Sequence, residues 1–127
     1  MNLAAYRDYI DCFNRNDFDG FGKYYCDDVV FELGEKKRIV GRDNIVDFYR
    51  DVKSKIRETL TILSAVGDDD AFAVHVATEF YALEDWPDFI AGPLMKGESI
   101  NIETVAYYYL RDGKFSRILG ARLKTVR

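Results

Sequence analysis

Residues 71–82, AFAVHVATEFYA, alternate with a period of two: Phe72, Val74, Val76, Thr78 and Phe80 share one face, and Ala73, His75, Ala77, Glu79 and Tyr81 share the other. This pattern predicts a half-buried strand whose more apolar face points to a core or cavity, leaving His75 on the reverse face. The same period governs the rest of the C-terminal half. Strands are expected at about 58–64, 71–82, 98–110 and 114–124, separated by Gly67-Asp68-Asp69-Asp70, a long irregular stretch, and Arg111-Asp112-Gly113. Connections too short to hold crossover helices make these four strands antiparallel.

Toward the N-terminus the period changes to three and four. Leu3, Tyr6, Ile10 and Phe13, with Tyr9 beside them, form one helical stripe. Asn14, Asn16 and Asp17 break it, and Asp17 can cap a short second helix through Phe18, Phe21, Tyr24 and Tyr25, weakened by Gly20 and Gly22. Val29, Val30 and Phe31 begin a strand, and the turn Gly34-Glu35-Lys36-Lys37 leads into a small hairpin with Arg38-Ile39-Val40. Asp43 or its neighbour is placed to cap a third helix carrying Ile45, Phe48, Tyr49 and Val52. The expected fold is α+β: a curved, mostly antiparallel sheet wrapped around three helices from the N-terminal half.

A chain of 127 residues and 14.7 kDa is one domain, 1–127, and 48% hydrophobic residues suffice for a core without disulfides or metal. The formal charge of −4 argues against nucleic acid as a partner. Cys12 and Cys26 form neither a disulfide framework nor a CxxC motif. The start MNLAAYRDYI does not read as a signal peptide and no apolar run is long enough to span a membrane, so the expected location is cytoplasmic, without a membrane partner. Aromatic residues make up 15% of the chain, enough to fill a core and also line a ligand cavity.

No phosphate loop, dinucleotide fingerprint, HExxH or GxSxG motif is present. The single histidine, His75, removes multi-histidine metal sites, and the acids show no ligand spacing, so neither metal nor cofactor is expected. Four residues remain as catalytic candidates. His75 can act as a general base, or be a satisfied histidine near a subunit interface. Glu32, opposite in parity to Phe31 and Leu33, would move protons near neutral pH if held in an apolar cavity, and is otherwise a surface carboxylate. Tyr9 can donate to a substrate carbonyl or simply pack. Arg122 shares a parity with Ile118 and Gly120, whose missing side chain leaves room beside it; it can bind a carboxylate or enolate oxygen at a pocket mouth, or be a solvated strand end. The residues expected to contact a substrate are Phe13, Phe48, Val74, Val76, Thr104, Tyr108 and Trp86. Trp86 lies in LEDWPDFIAGPLMKG at 83–97, either a pocket rim or interface element or a decorated hairpin loop. Residues 100–110 put Glu103, Val105, Tyr107 and Tyr109 on the face opposite Ile102, Thr104, Ala106 and Tyr108, which predicts a partner subunit on that outer face.

The element order, with YIDCFNRNDFDGFGKYYCDDVVFE at 9–32, GRDNIVDFYRDV at 41–52 and YYYLRDGKF at 107–115, resembles the nuclear transport factor 2-like superfamily, and most of all its SnoaL-like branch of polyketide cyclases and ketosteroid isomerases. The resemblance implies a cone with an internal apolar pocket, usually dimerising through the outer sheet face. In ketosteroid isomerases a helix tyrosine and a buried acid hold the oxyanion while an aspartate shuttles the proton. Tyr9 matches the tyrosine, but the base's place falls at Leu33 and the second acid's near Ala106, which disfavours steroid isomerisation. The paired histidines of scytalone dehydratases are also missing.

These readings lead to a cofactor-free lyase or isomerase acting by general acid/base proton transfer on a small aromatic or polycyclic molecule bearing a carbonyl or phenol. The alternative is a noncatalytic subunit that binds a small hydrophobe or organises a complex. An ionisable group pointing inward beside free volume discriminates the two.

Overall fold

The computed structural model describes residues 1–126. Helix α1 (Leu3–Asn14) is capped by Asn2, whose side chain accepts from the Ala5 N–H, and buries Tyr6, Tyr9, Ile10 and Phe13 on the expected stripe. Asn16, at φ 60°, ends it in the left-handed region, and Asp17 accepts from the Gly20 N–H to start α2 (Phe18–Gly22). Strand β1 (Tyr25–Leu33) begins earlier than Val29: Tyr25 and Cys26 are already buried and Tyr25 pairs with Phe115, so these residues belong to the sheet and not to the second helix.

Strand β2 (Lys37–Val40) completes the hairpin through a turn at Gly34 with φ +53°. Helix α3 (Arg42–Lys55) starts differently from expectation. Its first flanking residue is Gly41 at φ +97°, without a side-chain cap, while Asp43 lies inside the first turn, where a negative charge favours the helix dipole. The chain passes directly into β3 (Ile56–Gly67), then β4 (Ala71–Ala82), β5 (Ser99–Arg111) and β6 (Lys114–Thr125). Strand β3 therefore begins two residues before 58, and Glu58 is internal to it.

The six strands form one sheet in the order β2-β1-β6-β5-β4-β3, antiparallel except where β1 runs parallel to β6. Register shifts leave Leu63 of β3 and Ser116 and Leu123 of β6 as extra residues, bulges that add local bend and twist. The helices cover the concave face, giving the expected α+β cone. Phe72, Val74, Val76, Thr78 and Phe80 are buried, and the same alternation buries Ile102, Ala106 and Tyr108. One core cluster gathers around α1, Phe21, Tyr25 and Phe115; a second gathers around Val52, Ile56, Phe80, Phe89 and Ile100. The internal cavity opens where they meet. Among the described residues no helix is long and apolar enough to cross a membrane.

Candidate functional site

The cavity has a volume of about 140 Å³. Its wall is formed by Tyr9, Ile10 and Phe13 of α1, Phe48, Tyr49 and Val52 of α3, Phe31 and Leu33 of β1, and inward residues of β3 to β6; Phe89 and Ile90 come from the segment between β4 and β5. Aromatic and aliphatic carbon dominates. The polar groups are hydroxyls of Tyr9, Tyr49, Tyr108, Thr78 and Thr104, and one carboxylate, Glu58.

Glu58 lies on the inward parity of β3, with Ile56 before it and Leu60 after it, opposite Phe80. It is only 8% exposed. Burial disfavours the charged form and raises its pKa to about 7, opposed by the positive charge of Lys53. Lys53, on the inner side of α3 and 6% exposed, is lowered to about 8, chiefly by desolvation and against the pull of Glu58. Its Nζ donates to Phe13 O at 2.7 Å and sits 3.8 Å from the centre of the Phe13 ring. The two groups keep one another partly charged in a setting that favours neither charge alone.

Two tyrosine pairs form the polar end of the wall. Tyr9 and Tyr25 share a hydroxyl–hydroxyl bond of 2.7 Å, and Tyr6 and Tyr108 share one of 3.0 Å. The rings of Tyr9 and Phe115 lie 5.0 Å apart edge to face, fixing Tyr9 in the core. Burial raises the phenols of Tyr9 and Tyr25 well above their ordinary value and that of Tyr108 to about 12, so all three remain protonated at neutral pH.

The structure brings together Tyr9, Phe13, Phe48, Val76, Thr104 and Tyr108 on the cavity wall. Val74 is buried in the adjoining core, and Trp86 stacks behind the wall, 5.0 Å from the ring of Phe89. Arg122 lies at the outer mouth. Glu32 and His75 are elsewhere. Phe31 and Leu33 take the inward parity of β1, leaving Glu32 on the reverse face, where Arg117 Nε and Nη2 donate to Oε1 at 3.2 and 2.9 Å. His75 is on the outer face of β4, with Nε2 2.7 Å from Glu103 Oε1, while Lys124 Nζ lies 3.4 Å from Glu103 Oε2. The hydrogen bond from His75 is the largest cause holding the Glu103 carboxyl below its usual value.

Sequence reasoning missed Glu58 and Lys53, although each carries a signal. Glu58 shares parity with Ile56, Leu60 and Ile62, visible once the strand begins at Ile56. Lys53 extends the four-residue step from Ile45 through Tyr49.

The chain belongs to the SnoaL-like domain family, whose model matches residues 6–118, and so to the nuclear transport factor 2-like superfamily. Solved structures agree in fold. A candidate polyketide cyclase from Xanthomonas campestris pv. campestris superposes with a TM-score of 0.78 at 20% identity, covering 93% of this chain and 87% of that one. A candidate ketosteroid isomerase from Kribbella flavida DSM 17836 gives 0.73 at 21% identity, covering 98% and 78%. An LEH-like epoxide hydrolase from M. tuberculosis gives 0.76 at 14% identity, covering 94% and 80%. A comparison with curated proteins finds no match.

Proposed function

We propose that the protein is a cofactor-free enzyme that moves a proton on a small ring-containing carbonyl compound, with Glu58 as the proton carrier. The carrying observation is a single carboxylate in an apolar cavity, poised near neutrality by burial and by Lys53. Glu32 and His75 face away from this cavity, so the proton-carrying role expected of them falls to Glu58.

In the proposed step the Glu58 carboxylate takes a proton from carbon next to the carbonyl. The C–H electron pair becomes the enolate double bond, and charge collects on the carbonyl oxygen. Tyr9, or Tyr108, donates its hydroxyl hydrogen to that oxygen; either hydroxyl of each pair can be the donor, so Tyr25 or Tyr6 can donate to the partner whose hydrogen is engaged by the substrate. Return of the proton to another carbon gives isomerisation, and departure of a β-substituent gives elimination. A cavity of about 140 Å³ accommodates one ring, since an apolar cavity of about 150 Å³ accepts benzene.

The test is deuterium uptake at the α-carbon of cyclohexanone in D₂O, followed by proton NMR. Wild-type protein should accelerate uptake, and Glu58→Gln should lose about 10²–10⁴-fold of that acceleration. Cyclohexanone that binds without exchange, or equal rates in both proteins, overturns the catalytic reading in favour of a carrier.

We also propose that a second copy of the chain covers the outer sheet face around Val105, Tyr107 and Tyr109, which are each more than 40% exposed. This places the His75–Glu103 pair near that interface.

A further inference from the structure

The cavity does not end at its inner wall. Leu33, Phe80, Ile90, Ile102, Thr104 and Gly120 line both the inner chamber and an outer depression of about 370 Å³. The two spaces adjoin along this shared lining, and the character of the rest differs: the inner chamber carries Glu58, whereas the outer depression carries Arg122, Lys36 and Glu35.

Arg122 is held in place at this mouth. Its Nη2 donates to Ala91 O at 2.8 Å and its Nη1 to Thr125 Oγ1 at 3.4 Å. A guanidinium has five N–H donors, so these bonds orient the group and leave further donors. It pairs across the strands with Thr104, which lines both spaces, and Gly120, two residues earlier and opposite Ala106, lines both spaces without a side chain. Lys36 also lines the depression, at the end of the turn closed by its N–H to Leu33 O.

We propose that the substrate is a ring compound bearing a carboxylate on a short chain: the ring occupies the inner chamber and the carboxylate is held at the mouth by Arg122, with Lys36 adding positive charge. This rests on the reading of the cavity as a ligand site. The polarity of binding follows from the two ends. An apolar chamber that already holds Glu58 repels a second carboxylate and offers it little solvation, while a guanidinium at the wet mouth can take both of its oxygens. Glu35 opposes this field, but two cations against one anion leave the rim positive.

The experiment compares 3-phenylpropanoate with 3-phenylpropanamide by titration calorimetry at low salt. The acid should bind wild-type protein about tenfold or more tightly than the amide. Arg122→Gln should cut that preference to about twofold or less, with a circular dichroism spectrum like that of the wild type reporting that the variant is folded. Lys36→Gln should weaken the preference about twofold, and Glu58→Gln should retain it. Equal binding of acid and amide to wild type, or a preference that survives Arg122→Gln, overturns the carboxylate assignment while leaving the ring chamber standing. Failure of both compounds to bind overturns the cavity as a site for such ligands and this inference with it.

Discussion

Lys53 approaches the cavity wall from α3 and Glu58 from β3; Lys53 Nζ is bonded to Phe13 O, whereas Glu58 faces free volume. Both side chains are buried, and the direct passage from α3 into β3 at Ile56 places them only five residues apart. The helix supplies the compensating charge and the strand supplies the buried carboxyl.

The pair makes stability depend on pH with a defined sign. Glu58 has a folded pKa of about 7 against an ordinary 4.5, so between those values the folded state holds more protons and stability falls as pH rises. Lys53, lowered from 10.5 to about 8, acts in the opposite sense: the unfolded state holds more protons above 8, and stability rises with pH there. Urea titrations should find a minimum near pH 7–8. Glu58→Gln should remove the fall between 4.5 and 7, a difference on the order of 3 kcal/mol. A profile identical to wild type would show that Glu58 ionises in the folded protein as it does in water.

Tyr9→Phe removes the hydroxyl that pairs with buried Tyr25. Leaving that partner unsatisfied should cost about 1–3 kcal/mol in urea unfolding. The cyclohexanone exchange rate should fall about a hundredfold, with the midpoint of its pH dependence unchanged because Glu58 still sets it. An unchanged rate would remove Tyr9 from oxyanion binding.

Gly120 sits where chamber and mouth join. An added Cβ would meet Leu33 Cδ2 at 3.5 Å and Glu32 O at 3.8 Å, ordinary contacts, so Gly120→Ala should fold normally. Gly120→Val places branched carbon in the shared passage. It should weaken 3-phenylpropanoate binding about tenfold or more in calorimetry, with a circular dichroism spectrum like that of the wild type. Undiminished affinity would mean that ligands enter elsewhere.

Much of the fold was legible because β4 and β5 keep an unbroken period of two along their lengths, and α1 keeps its stripe from Tyr6 to Phe13. The same alternation puts His75 on the reverse face of β4, whereas in β1 it left open whether Glu32 or its neighbours Phe31 and Leu33 face inward. Glu58 was hidden by a boundary. Starting β3 at residue 58 makes Glu58 a strand end; starting it at Ile56 puts the carboxylate between two inward apolar residues. Helix-to-strand passage without a loop leaves no glycine, proline or polar turn to mark that point. Lys53 was obscured because a charged residue at the end of a stripe reads as solvated, and its acceptor, Phe13 O, lies 40 residues away.

The outer-face proposal is tested by mass. Tyr107 and Tyr109 lie edge to face on that side, ring centres 5.0 Å apart, each 41% exposed. Light scattering on a size-exclusion column should give twice 14.7 kDa for wild type and 14.7 kDa for Tyr107→Glu, which buries a charge in the proposed interface. A wild-type monomer at micromolar concentration would contradict a second copy on this face.

The central claim is that Glu58 is a cavity carboxyl poised to exchange a proton near neutral pH. Its most direct test is a ¹³C NMR titration of the side-chain carboxyl in protein labelled at glutamate, with the resonance assigned by its loss in Glu58→Gln. The midpoint should lie at about 7 and move upward in Lys53→Met as the neighbouring positive charge is lost. A midpoint near 4.5 in wild type, unmoved by Lys53→Met, would contradict it.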